Sequence, residues 1–212
     1  MIYRICVRIV SAVFLLAVVA SCAREEPPAP VVPASSVVEP RPEIYADFEL
    51  TADLSSLSDK QREMIAVLID ASEIMDDLFW RQAYGDDHRA WLQSIDDDDT
   101  RRFAELNYGP WDRLDDDKSF IKGVDDKPLG ARFYPADLTK EEFDAAYLPG
   151  KAGQYSLIQR DAEGALQLVP YHVAYADELG QAANLLREAA NLAESRDFAN
   201  YLKLRAAALI SD

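Results

Sequence analysis

Ser58–Gly85 reads SDKQREMIAVLIDASEIMDDLFWRQAYG. Ser58 followed three residues later by Gln61 is a capping-box pattern, in which hydroxyl and amide satisfy the free donors of a helix start. Met64, Ile65, Leu68, Ile69, Ile74, Met75, Leu78 and Phe79 then recur at spacings of three and four. That spacing gathers them on one broad helical face. Gly85 is the expected stop. The stretch predicts a long helix from Asp59 to about Tyr84 and commits the chain to helix packing.

Downstream, a short helix is expected from about Asp87 to Ile95, carrying Trp91 and Leu92. Asp96-Asp97-Asp98-Asp99 follows. It lacks the alternating acids, central Gly and distal Glu of a calcium loop. Asp99 is expected instead as N-cap of a helix from Thr100 to Tyr108. Residues 115–130, rich in Asp, Lys and Gly, read as a loop. Thr139-Lys140-Glu141-Glu142 is a second capping box, opening a helix to about Ala146. Tyr155–Arg160 and Ala165–Pro170, joined by Asp161-Ala162-Glu163-Gly164, read as a β-hairpin. Two further apolar patterns predict helices from about Tyr175 to Ala193 and from about Asp197 to Ile210. The expected fold is mainly α: a helical lobe of five or six helices with one small β-hairpin.

Upstream, Arg4 and Arg8 precede an apolar run from Ile9 to Ala20, as in a secretory signal. The run is short for a membrane span, which needs about 20 apolar residues. It ends in Val19-Ala20-Ser21-Cys22, which resembles a bacterial lipobox. Small residues suit a peptidase gripping extended backbone, and the Cys thiol supplies the nucleophile that is lipidated. Each acyl CH₂ buried adds about 0.8 kcal/mol, so a multiply acylated Cys22 would hold firmly. Ala23 rather than Asp after that Cys fits sorting to an outer membrane. Residues 23–41 are dominated by Pro, Ala, Ser and Val and read as a semi-rigid spacer. The expected organisation is a signal over 1–21, a lipidated Cys22 with its spacer over 22–42, and one folded lobe over 43–212. The protein is thus expected to be exported and anchored on the periplasmic side, its membrane partner engaged through Cys22.

The chain carries 38 acidic and 22 basic residues, a net charge of −16. Losing the signal removes Arg4 and Arg8 and no acid. This balance argues against nucleic acid as a partner. Cys6 lies in the signal, which leaves Cys22 alone, with no disulfide and no Cys zinc cage. The two histidines, His88 and His172, have no second His at ligand spacing, and no HExxH, GxSxG, P-loop or GxGxxG is present. His88, in Asp86-Asp87-His88-Arg89, is expected at the surface. His172 follows the second strand, either as a hydrogen-bonded structural residue or as a cleft group.

Asn107-Tyr108-Gly109-Pro110-Trp111-Asp112-Arg113-Leu114 is a broken helix end with aromatics and an Asp/Arg pair. Two readings stand. The groups line a binding cleft, or Trp111 plugs the core while Asp112 and Arg113 satisfy the turn.

Several blocks carry a family resemblance. Leu57–Met64, Ile74–Gly85, Asn107–Leu114, Phe133-Tyr134-Pro135-Ala136-Asp137 and Val169-Pro170-Tyr171-His172 together resemble the amino-terminal region of bacterial dipeptidyl-peptidase III-like zinc hydrolases, peptidase family M49. The resemblance runs from about Phe48 to Asp212. It implies a two-lobed peptidase that cleaves peptides from the amino end. It also implies a zinc held by the histidines of HExxGH or HExxxGH and a further Glu, the motif Glu acting as general base. No such motif occurs here, so no catalytic residue and no metal ligand is assigned, and this chain alone is expected to bind no cofactor. The resemblance implies a non-catalytic lobe whose cleft residues would be Asn107, Tyr108, Trp111, Arg113, Tyr134 and His172. Its expected partners are a carboxy-terminal catalytic portion and peptides. The alternative is a stand-alone periplasmic lipoprotein serving as a peptide-binding or scaffold module.

Overall fold

Ser58 closes the predicted capping box: its Oγ accepts from Gln61 N at 3.2 Å, and Gln61 Oε1 accepts from Ser58 N at 3.0 Å. Both residues are then clamped by one distant carboxylate. Glu194 accepts from Ser58 Oγ at 2.9 Å and from Gln61 Nε2 at 3.0 Å. An acid at a helix start also complements the positive end of the macrodipole. The computed structural model describes residues 37–211, so Cys22 and most of the spacer lie outside the described residues.

Among the described residues the fold is mainly α with a minor β component. It runs α1 (Asp59–Ala83), α2 (His88–Gln93), α3 (Asp98–Asn107), β1 (Trp111–Asp112), β2 (Lys118–Ser119), α4 (Lys140–Ala145), β3 (Ser156–Arg160), β4 (Leu166–Pro170), α5 (Tyr171–Ala174), α6 (Ala176–Leu192) and α7 (Arg196–Leu209). A 3₁₀ turn, Pro42–Ile44, precedes them. No helix among the described residues is long and apolar enough to cross a membrane.

The long helices α1, α6 and α7 pack together. Val67 meets Ala189, Ala190 and Leu202 in one cluster, while Leu78, Leu157, Tyr175 and Leu179 form another that carries the hairpin. The alanines explain the close approach: Ala182, Ala183, Ala189 and Ala206 are almost wholly buried and leave room for a neighbouring backbone. Phe103, Ala104 and Phe120 make a third cluster under the α3 turn, covered by Val38 and Tyr45. The packed part therefore reaches upstream of Glu43, with Val38 N donating to Ser119 O at 3.0 Å.

The hairpin pairs Ser156 with Pro170 through Arg160 with Leu166, antiparallel. Its turn is closed by Asp161, whose Oδ1 accepts from Glu163 N and Ala165 N, and by Gly164 at φ +86°. A second ladder, unforeseen in the sequence, pairs Trp111 with Ser119 and Asp112 with Lys118. Two residues per strand are too few to show a period, so this ladder leaves no pattern to read.

Three local expectations shift. The cap of α3 is Asp97, not Asp99: its Oδ2 accepts from Thr100 N at 2.8 Å and Thr100 Oγ1 at 2.6 Å. An N-cap side chain accepts from the amide two or three residues on, never from the next one, so Asp99 cannot cap at Thr100, and Asp98 and Asp99 fall into the first turn. At α4 only half the box forms. Thr139 Oγ1 accepts from Glu142 N, but the Glu142 carboxylate is taken by Arg160 from the hairpin, at 2.8 and 2.9 Å. A charged bidentate partner outcompetes a single backbone amide. Finally, the helix expected from Tyr175 is preceded by an extra turn, α5, with Tyr175 between them at φ −123°, ψ 35°.

Candidate functional site

The Asn107–Leu114 turn ends α3 in the left-handed region at Tyr108, φ 54° and ψ 44°. Asn107 is buried and bonded through both amide atoms: Nδ2 donates to Phe103 O at 2.9 Å, and Oδ1 accepts from Arg113 N at 3.1 Å and Tyr45 Oη at 3.3 Å. Tyr108 turns back over α1. Its hydroxyl donates to Asp76 Oδ1 at 2.7 Å, and its ring lies edge-on to Phe79, 4.6 Å between centroids. The Asp76 bond, together with partial burial, holds the phenol proton on and raises its pKa above 10.0.

Trp111 is 6 % exposed, with Nε1 donating to Asp125 O at 2.9 Å. Its ring sits above Gly109, where an added Cβ would stand 3.0 Å from Trp111 Cε3. Asp112 has no exposed surface; its carboxylate pairs with Arg41 and accepts from Leu114 N at 2.9 Å. Asp112 O takes the amides of Asp115 and Asp117, and Asp116 and Asp117 adopt positive φ to allow it. Arg113 projects outward, as does Leu114, which is 67 % exposed. Arg113 donates to Leu106 O and lies 6.0 Å over the Tyr108 ring. Of the two readings, Trp111 follows the core one, and Tyr108 with Arg113 is left as the accessible pair.

Tyr134 sits elsewhere. It borders a cavity of about 420 Å³ with Gly130, Leu138, Lys140 and Phe143, its ring edge-on to Phe143 at 6.0 Å. His172 is half-buried in the single turn of α5. Asn107, Tyr108, Trp111 and Arg113 are thus one neighbourhood, with Tyr134 in a second and His172 on a third element.

The sequence placed His88 at the surface; the fold buries it at 4 % exposure. The start of α2 folds back on α1, so the ring stacks on Trp80, 5.2 Å away with planes 10° apart. Nδ1 faces Gly85 O at 3.1 Å and Nε2 faces Asp77 Oδ1 at 3.2 Å, and Asp77 also receives Arg89. Both partners are acceptors, so both bonds form only when each ring nitrogen carries a proton. Asp86-Asp87-His88-Arg89 gave no local signal of this, because the burying surface comes from α1.

Beside this group lies a polar cavity of about 460 Å³ bordered by Arg81, Asp86, Asp87, Arg132 and Tyr175. Arg81 is engaged there by Asp86 and Glu178 and lies 5.4 Å over the Tyr175 ring. A zinc ion needs three or more converging donors. Among the described residues no three His, Cys, Asp or Glu side chains are grouped to hold one. The residues described do not fit a zinc site.

No family model matches the chain. Among solved structures, it is similar to DPP III from Caldithrix abyssi, with 34 % identity and a TM-score of 0.72 over 78 % of this chain and 33 % of that one. It is also similar to dipeptidyl-peptidase III from Corallococcus sp. strain EGB, with 34 % identity and a TM-score of 0.73 over 79 % and 33 %. A curated relative, Nudix hydrolase 3 of Arabidopsis thaliana, is 25 % identical over 79 % of this chain and 30 % of its own length. The chain spans about a third of the length of the relatives it matches, and in fold and sequence it is similar to that third of a dipeptidyl-peptidase III.

Proposed function

We propose that this chain supplies the amino-terminal, non-catalytic part of a dipeptidyl-peptidase III-like zinc peptidase, held at a bacterial membrane by lipid on Cys22. The observation that carries the reading is the 34 % identity, with matching fold, to about a third of two solved dipeptidyl-peptidase III chains. In this reading the lobe contributes one wall of a peptide cleft, on which Tyr108 and Arg113 offer an aromatic face and a guanidinium. A peptide chain carries carbonyls and a terminal carboxylate, which an exposed Arg can hold.

The apolar run from Ile9 to Ala20 and the Val19–Cys22 lipobox support the tether. Metabolic labelling with an alkynyl palmitate tests it. Label is expected in the wild-type chain and absent from Cys22→Ala; equal labelling of both, or of neither, overturns the tether. Elemental analysis tests the lobe assignment. After dialysis against zinc and then buffer, the purified chain is expected to retain far less than one zinc per molecule. One tightly held zinc per chain contradicts a non-catalytic assignment.

A further inference from the structure

Between the 3₁₀ turn and α1, residues 46–54 belong to no helix or strand, yet they alternate with a period of two. Phe48, Leu50, Ala52 and Leu54 interleave with Asp47, Glu49, Thr51 and Asp53. That is the pattern of a strand with one apolar and one polar face. The apolar face is bare: Phe48 is 83 % exposed and Leu50 88 %. Large apolar side chains displayed together mark an interaction site. Among the described residues, no backbone hydrogen bond is made by residues 46–53.

The segment is held at both ends and open between them. At one end Asp47 is paired with Arg102 of α3, and Tyr45 packs on Phe103. At the other, the Arg62 guanidinium donates to Leu54 O at 3.0 Å and to Leu57 O at 2.6 Å. Fixed ends reduce the entropy lost when the middle pairs.

We propose that residues 47–54 are a strand awaiting its sheet. They dock by main-chain pairing onto a sheet edge supplied by the portion of a dipeptidyl-peptidase III-like fold that this chain does not match. This rests on the reading given under Proposed function, and it identifies the surface through which the two portions join. The matched relatives carry about two thirds of their length outside the region shared with this chain. The accepting edge is specified by chemistry: apolar on the side meeting Phe48 and Leu50, basic on the side meeting Glu49 and Asp53. Strand addition of this kind draws affinity from backbone bonds and specificity from alternate side chains.

A second copy of the chain fits less well. In an antiparallel self-pair, directly opposed residues share a face, so apolar faces match only in even registers. Centring on Leu50 opposes Asp47 to Asp53, centring on Thr51 opposes Glu49 to Asp53, and centring on Ala52, which opposes no acids, sets Phe48 against Ser56. Like charges directly opposed are destabilising.

Hydrogen exchange tests the proposal. The full chain is co-expressed with the part of the Caldithrix abyssi enzyme that it does not match. Exchange at the amides of residues 47–53 is compared in the free chain and in the complex. In the free chain they are expected to exchange at unprotected rates, and in the complex at least about 100-fold more slowly. A Phe48→Lys, Leu50→Lys double substitution is expected to leave the melting temperature of the free chain unchanged and to abolish the complex. A complex with residues 47–53 unprotected overturns the strand and spares the reading of the lobe. No complex with a partner portion that circular dichroism and cooperative unfolding show to be folded overturns both. Protection in the free monomer, or a lower melting temperature of the double variant, shows the segment already packed and overturns the strand. Protection that appears only with concentration-dependent dimerisation makes a second copy the partner and overturns the choice made here.

Discussion

The carboxylate of Asp112, which has no exposed surface, is paired with the guanidinium of Arg41, 71 residues earlier in the chain. One bond of that carboxylate also fixes the turn after β1, through Leu114 N. Asp112 therefore joins the upstream strap to the loop that presents Tyr108 and Arg113. Replacing Asp112 with Ala leaves the Leu114 amide and the Arg41 guanidinium without their acceptor. The expected loss is about 2 kcal/mol, or roughly 4–8 °C in melting temperature for a chain of this size. Asp112→Asn, which keeps one carbonyl for Leu114 N, is expected to fall between. Thermal unfolding of the two variants checks the order.

Gly109 is held by its neighbour as much as by its own backbone. At φ +147° an L side chain is strained, and its Cβ would meet Trp111 Cε3 and Cζ3 at 3.0 and 3.1 Å. Gly109→Ala is expected to destabilise by more than about 1 kcal/mol. It should also change the near-ultraviolet dichroism, since the Trp111 ring must move. An unchanged spectrum with unchanged stability would show that the ring does not crowd this position.

His88 joins α2 to α1 through Trp80, Asp77 and Gly85. His88→Ala empties that place and is expected to cost about 1–3 kcal/mol. Tryptophan emission should shift to the red as water reaches Trp80. His88→Gln keeps a donor for one of the two acceptors and should recover part of the stability. Equal stability of all three proteins would mean the buried ring contributes nothing.

Arg160 gathers Asp137 and Glu142 and ties the hairpin to α4. Its hydrogen bonds draw both carboxyls below their ordinary values of 3.8 and 4.5. A depressed folded-state pKa stabilises above the unfolded value and loses that stabilisation as pH falls through the folded one. The contribution is thus present above about pH 4.5 and fades below it. Asp137 is largely exposed and Arg160 and Glu142 are partly so, which keeps the effect small. Arg160→Met should flatten the acid limb of stability between pH 5 and about 3 relative to wild type. Denaturant unfolding across that range reads it.

The helices were legible because their signals are local. The three-and-four spacing of Met64 to Phe79 and the Ser58–Gln61 box place α1 almost to the residue. The cores of α6 and α7 follow from their Leu and Ala spacing in the same way. What escaped depends on partners far along the chain. Nothing near Asp112 announces Arg41, nothing near His88 announces the Trp80 face, and Glu142 looks like a capping residue until Arg160 claims it. In the candidate cleft the residue types were legible but not their orientation. Trp111 turns inward to Asp125 O while Arg113 turns outward, although the two are separated by one residue.

In the proposed function this lobe does not by itself perform the hydrolysis that the two solved relatives are named for. The most direct measurement is dipeptide release from unmodified peptides by the rigorously purified chain, followed by mass spectrometry with added zinc and again with a chelator. No release above a buffer blank under either condition is the expected result. Dipeptide release that zinc sustains and the chelator abolishes would contradict it.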